Sequence, residues 1–198
     1  MTSLVLPSEP QGPRDRRVQE LLYDIKDAAL DQLSDGGAGG ISYRMLATRI
    51  GISRSTLRYH FPTKNALIDA LVADGFTALE RSLRSALART DGAPPRERWS
   101  ALAHDYRRWA LRHPRHYLLI HTGPALQVAL HGEGPAGMER VVGVFTGFLG
   151  DDPAGLAAHA RLHGAVSQEL NARAAPQGLD HEALFDAQVE DLARVLDD

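Results

Sequence analysis

The stretch from Ser42 to Lys64, SYRMLATRIGISRSTLRYHFPTK, has the pattern of a helix-turn-helix. In such a unit the first helix needs a small residue where the second crosses it, and the turn needs a residue that tolerates a positive φ. Ala47 and Gly51 meet these two requirements, and Leu57 supplies an apolar side chain by which the second helix can pack against the first. The sequence therefore predicts two short helices that cross around a small core.

The second of these helices has an outer face with the chemistry of a major-groove reader. With its apolar anchor turned inward, the helix presents hydroxyl, guanidinium and aromatic groups on the other side. These groups belong to Arg54, Ser55, Thr56, Arg58 and Tyr59. None of them is acidic, and the first of them lies at the helix start, where contacts to base edges concentrate.

The distribution of charge supports a nucleic-acid partner, although the net charge of −3 does not. Between Asp35 and Asp69 there is no acidic residue, while five Lys and Arg residues occur there. Residues 151–198 instead hold ten acidic and three basic residues. A basic head on an acidic body would confine the attraction for phosphate to one face. Charge alone is equally compatible with an ordinary solvated surface.

Apolar residues repeat at intervals of three and four along almost the whole chain, which predicts an all-α fold. A first helix is expected from Arg14, a fourth from a Thr63 cap to about residue 89, and a fifth up to Pro114. Two or more helices are expected over 115–150, and the last two over 153–171 and 180–196. The predicted domains are a disordered arm at 1–13, the helix-turn-helix domain at 14–64, and a larger helical ligand-binding and dimerisation domain at 65–198.

Two other patterns in the sequence are weaker indications of a functional site. Gly132, Gly134 and Gly137 spell G-x-G-x-x-G, but without a sheet a flexible loop between helices is the expected structure. His159 and His163 lie one turn apart, where a structural or interface role is favoured over a metal site. No cofactor, metal site or catalytic residue is predicted.

The chain has no cysteine, no signal-peptide pattern and no apolar run long enough to span a bilayer. These features indicate a cytoplasmic protein with no membrane partner.

Residues 51–67, GISRSTLRYHFPTKNAL, resemble the TetR family of bacterial one-component regulators. The resemblance extends over about residues 14–70. Residues 106–117, which include Trp109 and His113-Pro114, look like one common subtype of the family's C-terminal domain. The resemblance implies a homodimer whose two third helices enter successive major grooves of a pseudo-palindromic double-stranded operator.

The resemblance also implies roles for single residues. Groove or base contacts are expected from Arg54, Ser55 and Tyr59, and phosphate contacts from Thr56, His60 and Lys64. At the start of the preceding helix, Tyr43 would add a phosphate contact and Arg44 a guanine contact. Arg58 stands where the family most often has a tyrosine that touches the DNA backbone, so it could contact either the backbone or a base.

The larger helical domain would then hold a small-molecule effector. Its candidate ligand-binding residues are Phe76, Tyr106, Trp109, His113, Tyr117 and His121. The apolar faces of the last two helices suit a dimer interface and suit an internal core nearly as well. The first hypothesis is thus a ligand-responsive repressor. Two other hypotheses stay open: a DNA-binding protein whose body binds other proteins without an effector, and a helical enzyme or cofactor carrier.

Overall fold

The computed structural model describes residues 12–36, 40–121, 134–150, 152–172 and 178–194, and within these ranges it consists of nine helices without a strand. The helices are α1 (Pro13–Gly36), α2 (Tyr43–Ile50), α3 (Arg54–His60), α4 (Lys64–Arg89), α5 (Pro95–Arg112), α6 (Pro114–His121), α7 (Gly134–Leu149), α8 (Asp152–Ala172) and α9 (His181–Ala193). The all-α prediction is confirmed. Almost all of the predicted arm at 1–13 lies outside the described residues.

Side-chain caps fix the starts of α2, α3 and α4. Ser42, Ser53 and Thr63 each accept a hydrogen bond from the backbone N–H three residues further on, at 3.4, 3.0 and 3.1 Å. These bonds satisfy N–H groups that a helix start leaves without a partner. Gly51 ends α2 with a φ of 76°, the left-handed conformation that glycine adopts most easily.

The helix-turn-helix core is small and closed. Leu57 of α3 is completely buried, and so is Leu46 of α2, while Ala47 is 3% exposed. A seven-residue helix is too short to be stable alone, so these tertiary contacts hold α3 in place. The pattern read from residues 42–64 therefore corresponds to the observed packing.

The described residues form two closely packed units. Unit 1 comprises those of 1–78 and 115–137, and unit 2 comprises those of 79–114 and 138–198. Unit 1 contains α1 to α3 and all of α6 after its first residue, and unit 2 contains α5, α8 and α9. The helices α4 and α7 each contribute several residues to both units. The predicted domain boundary after residue 64 stays a prediction.

The predicted loop over the G-x-G-x-x-G motif is wrong in its second half, because α7 begins at Gly134. Gly132 lies outside the described residues. Gly137 is buried in unit 1, where a Cβ atom would come within 2.4 Å of the Phe76 ring. The glycine therefore allows close approach of a helix backbone to an aromatic ring, which is a packing role and not a source of flexibility.

Unit 2 is built on the mutual packing of α5, α8 and α9. Trp99 is fully buried, and its indole N–H donates to the Val189 carbonyl oxygen at 2.9 Å. Arg107 donates two hydrogen bonds to Glu169, at 2.7 and 3.0 Å, with both side chains largely buried. The carboxylate raises the pKa of Arg107 above its ordinary value, chiefly through the hydrogen bond. A hydrogen-bonded ion pair thus joins α5 to α8.

Most of the apolar positions of α8 and α9 are used inside unit 2. The buried ones are Leu162, Val166, Leu170, Phe185 and Val189. Leu156 and Leu184 are instead 56% and 38% exposed. Of the two alternatives that the sequence left open, an internal core therefore accounts for most of this face, and a narrower exposed strip remains.

Candidate DNA interface and ligand cavity

The outer surface of α3 has the exposure expected of a reading helix. Tyr59 is 83% exposed, and Arg54, Ser55 and Arg58 are also exposed, while Thr56 is half-buried. The edge of the Tyr59 ring lies against the neighbouring His60 ring, with centroids 5.1 Å apart. These side chains can therefore reach a groove without any change in the core beneath them.

Three hydroxyl groups meet at the start of α3. Ser53 Oγ lies 2.7 Å from Ser55 Oγ and 2.8 Å from Thr56 Oγ1, within hydrogen-bond distance. The cap residue therefore orients the two hydroxyls for which the sequence predicted groove and phosphate contacts. Contact of either residue with DNA stays a prediction.

Four cationic side chains around α3 form no ion pair within the described residues. They are Arg44, Arg54, Arg58 and Lys64, and all four are exposed. Arg49, the fifth base of the basic stretch, forms an ion pair with Asp31 of α1. The positive charges of α3 and its flanks are thus exposed, and within the described residues no carboxylate pairs with them.

Tyr43 has a structural role that the sequence did not predict. Its hydroxyl lies 2.8 Å from the Phe61 carbonyl oxygen and 2.7 Å from that of Thr63, so it donates to the backbone between α3 and α4. Burial raises the pKa of Tyr43, and the positive charge of Arg58 partly opposes that rise. Tyr43 therefore ties the start of α2 to the end of α3.

Met45 is an apolar residue of α2 that does not belong to its buried face, because it is 62% exposed. Leu46, Ala47 and Ile50 mark the inward side of the helix, and Met45 falls on the opposite side at 100° per residue. Thr48 is also exposed, and its hydroxyl donates to the Arg44 carbonyl oxygen at 2.9 Å. Met45 and Thr48 are thus surface residues of α2 for which the sequence predicts no contact with DNA.

A network of ion pairs connects α6 to the helix-turn-helix within unit 1. Arg115 of α6 pairs with both Asp27 and Asp31 of α1, and Asp31 also binds Arg49 of α2. These ion pairs could not be predicted from residue spacing, because their members lie up to 88 positions apart in the chain. It provides a direct electrostatic link from α6 through α1 to α2.

The six predicted ligand-binding residues are divided equally between the two units. Phe76, Tyr117 and His121 cluster in unit 1, where the His121 ring centroid lies 6.4 Å from that of Phe76 and 4.6 Å from that of Tyr117. Tyr106 is buried in unit 2 against the rings of Phe145 and His159.

Trp109 and His113 line a cavity in unit 2, with their ring centroids 5.5 Å apart. Its volume is about 510 Å³, within the range typical of sites for small molecules. The complete lining is Ser82, Arg89, Asp105, Arg108, Trp109, Arg112 and His113. The three arginines were not predicted, although Asp105, Arg108 and Arg112 recur at intervals of three and four on α5.

Comparison with known families agrees with both parts of the chain. Residues 25–71 match the family model for bacterial regulatory proteins of the tetR family. Residues 99–192 match the model for the tetracyclin repressor-like C-terminal domain. The chain belongs to the TetR family of transcriptional regulators.

Similar proteins also support the TetR assignment. The HTH-type transcriptional regulator Rv1816 of Mycobacterium tuberculosis is 28% identical over 137 residues, which are 67% of this chain and 56% of that regulator. The class D tetracycline repressor of Escherichia coli is 44% identical over 50 residues, which are 25% of this chain and 23% of the repressor. The crystal structure of the regulatory protein SCO4313 aligns with a TM-score of 0.76 at 27% identity, covering 91% of this chain and 98% of that one.

The chain thus spans only about half the length of the regulator Rv1816. Within the described ranges of this TetR-family chain, every helix is too short or too polar to serve as a membrane span. In the same ranges, no three side chains of the kinds that bind metal ions come together.

The buried His159 of α8 should make the stability of this TetR-family protein depend on pH. His159 is 5% exposed, and burial together with the nearby His163 lowers the pKa of His159 to about 4. The unfolded chain binds a proton on this side chain near pH 6.5, whereas the folded protein binds it only near pH 4. The contribution is therefore present above about pH 6.5, and we expect about 3 kcal/mol of it to be lost as the pH falls to 4.

Both tryptophans, Trp99 and Trp109, belong to unit 2, so their fluorescence during urea unfolding at pH 7 to pH 4 measures this dependence. The variant His159→Leu should lose less stability over the same interval than the unmodified protein. An equal loss in both proteins would show that His159 does not contribute.

Proposed function

We propose that this chain is a homodimeric repressor that binds a palindromic operator and is released from it by a small-molecule effector. Membership of the TetR family, with its DNA-binding domain, is established, and binding of this chain to an operator belongs to the proposal. Repression, dimerisation and release belong to the proposal, as does action in the cytoplasm, where bacterial operators are found.

The observation that carries operator binding is the exposed, unneutralised positive surface of α3 and its flanks. Arg54 at the helix start is placed to read a base, and Ser55 and Tyr59 would contact the same groove. Phosphate contacts are assigned to Thr56, His60 and Lys64, and a guanine contact is assigned to Arg44. Arg58 can contact phosphate or a base. We assign Tyr43 the positioning of α2, since its hydroxyl proton is already donated to backbone carbonyls.

An exposed strip of α8 and α9 supports the homodimer. Leu156, Ala160 and Gly164 follow one another at intervals of four on the outside of α8, and no atom lies within 4 Å of where a Gly164 Cβ would be. Leu184 and Ala187 are exposed on α9. Small residues let the backbones of two helices come close, so this strip suits contact with its own copy about a two-fold axis.

Release requires an effector that binds one conformation of the protein better than another, because it can shift the equilibrium only by that difference in affinity. The cavity beside Trp109 and His113 offers space for an effector. The ion pairs of Arg115 would let a displacement of α6 reach α1 and α2. Lys64, at the junction of α3 and α4, is the second position where we expect coupling.

Replacing Arg54 with alanine should weaken operator binding by about 1–3 kcal/mol and relax the preference at one base pair, because a guanidinium can bind guanine with two hydrogen bonds. The measurement is fluorescence anisotropy of a labelled operator, repeated with operators substituted at single positions.

The variant Arg54→Lys distinguishes a base contact from a phosphate contact. Lysine keeps the charge and loses the two-pronged geometry, so a base contact would be lost and a phosphate contact largely kept. Wild-type affinity and sequence preference in both variants would contradict the role of Arg54. The control is Arg84→Ala, which removes the same charge from an exposed position of α4 in unit 2.

A further inference from the structure

The cavity of unit 2 has an unusual excess of positive charge. Three guanidinium groups line it, those of Arg89, Arg108 and Arg112, and Asp105 is the only carboxylate among the lining residues. Three positive charges and one negative charge leave a formal excess of two. The cavity therefore has the charge of a site for an anion.

Both oxygens of the single carboxylate already accept hydrogen bonds from side chains of the lining. Asp105 is 4% exposed, and its Oδ1 accepts hydrogen bonds from Arg89, at 3.3 Å, and from Arg108. Its Oδ2 accepts a hydrogen bond from the Ser82 hydroxyl. Asp105 thus holds two of the arginines in place and has no oxygen left for the third.

Arg112 has no ion-pair or hydrogen-bond partner within the described residues, and its side chain is exposed at the cavity. The indole N–H of Trp109 is a second donor in the same wall: it is buried and has no acceptor in the described part of the chain. A buried donor without an acceptor is unfavourable unless a ligand or water supplies one. The exposed Arg112 guanidinium is therefore available to an oxygen-bearing ligand.

The crowding of like charges is visible in the acid–base properties of the lining. Burial lowers the pKa of Arg108, and the charges of Arg112 and Arg89 lower it further. The pKa of His113 is lowered by burial and then by Arg112, so this histidine is neutral near pH 7 and adds no charge. An anion in the cavity would relieve the repulsion among the three guanidinium groups.

We propose that this cavity is the effector site and that the effector is a small dianion, a phosphate monoester or a dicarboxylate, whose oxygens bind Arg112 and the guanidinium edges of Arg89 and Arg108. Arginine suits both groups because its planar fork donates paired hydrogen bonds to carboxylate and to phosphate. The binding part of this inference stands by itself, and the regulatory part rests on the proposed function.

The test is calorimetric titration of the full-length protein with glycerol phosphate and with succinate, at constant ionic strength. Acetate and glycerol serve as the monoanionic and neutral controls. We expect a dianion to bind and the controls not to bind measurably, and the tighter of the two dianions identifies the chemical source. Arg112→Gln should raise the Kd about tenfold, the loss of one charge-assisted contact, whereas Arg84→Gln on the same helix as Arg89 should leave it unchanged.

Because Arg112 is exposed and has no partner among the described residues, its replacement should not disturb folding. An unchanged tryptophan-fluorescence unfolding curve checks this. Equal binding of acetate and the dianions, or equal weakening in both variants, would overturn the inference while leaving operator binding intact. Binding of a dianion that leaves the operator affinity unchanged would overturn the assignment as the effector site. Failure of the ligand-free protein to bind operator DNA would instead contradict the proposed function.

Discussion

Replacing Arg107 with alanine should lower the free energy of unfolding of unit 2 by about 3 kcal/mol, because the change leaves the Glu169 carboxylate largely buried without its partner. The Arg107 side chain is 15% exposed and that of Glu169 is 10% exposed, so water can replace little of the lost interaction. The guanidinium also lies over the Phe185 ring, 5.5 Å from its centroid, and this contact is lost as well. Urea unfolding followed by tryptophan fluorescence measures the change.

Arg161→Ala is the matched control, because Arg161 pairs with Asp191 between α8 and α9 with both side chains more than 40% exposed. An exposed pair contributes little to stability, because water and salt screen its charges. The double variant Arg107→Ala, Glu169→Ala should recover part of the loss, since it removes the uncompensated charge. A cost for Arg107→Ala no larger than that for Arg161→Ala would show that the ion pair does not hold α5 against α8.

Replacing Leu57 with alanine should destabilise the helix-turn-helix by about 2–5 kcal/mol, the range for a fully buried leucine whose removal leaves a cavity. Leu57 is completely buried and is the only buried residue within α3. Since the seven-residue helix depends on this packing, operator affinity should fall with the stability. Far-UV circular dichroism during thermal unfolding measures the stability, and anisotropy measures the affinity.

The matched control for this prediction is Met45→Ala. Met45 lies on α2 but is 62% exposed, so its truncation should cost less than about 0.5 kcal/mol. Full operator affinity and unchanged helicity in Leu57→Ala would mean that α3 is held by something other than its apolar anchor.

The helix-turn-helix could be predicted from the sequence because its determinants are local. The caps at Ser42 and Ser53 act on N–H groups three residues away, and Gly51 needs only its own φ angle. Leu57 belongs to α3, which packs against α2, the helix directly before it in the chain. Residue types and spacing carry nearly all of this information.

Other features depend on contacts that spacing alone does not reveal. Gly137 packs against Phe76, sixty-one positions earlier, so its glycine pattern was interpreted as a loop. The apolar positions of α8 were equally suited to a core and to an interface until their packing with α5 and α9 was known. The charged cavity joins α5 to the second half of α4, and only their packing brings its three arginines together.

The central claim is that a dimer of this protein reads duplex DNA with α3. The most direct measurement is selection of bound duplexes from a randomised pool at low ionic strength, followed by the mass of the complex with the enriched sequence. We expect an inverted repeat occupied by two protomers, with half-site centres about 34–36 Å apart or a multiple of that distance. Failure to enrich any sequence, or enrichment of a single half-site bound by one protomer, would contradict the account.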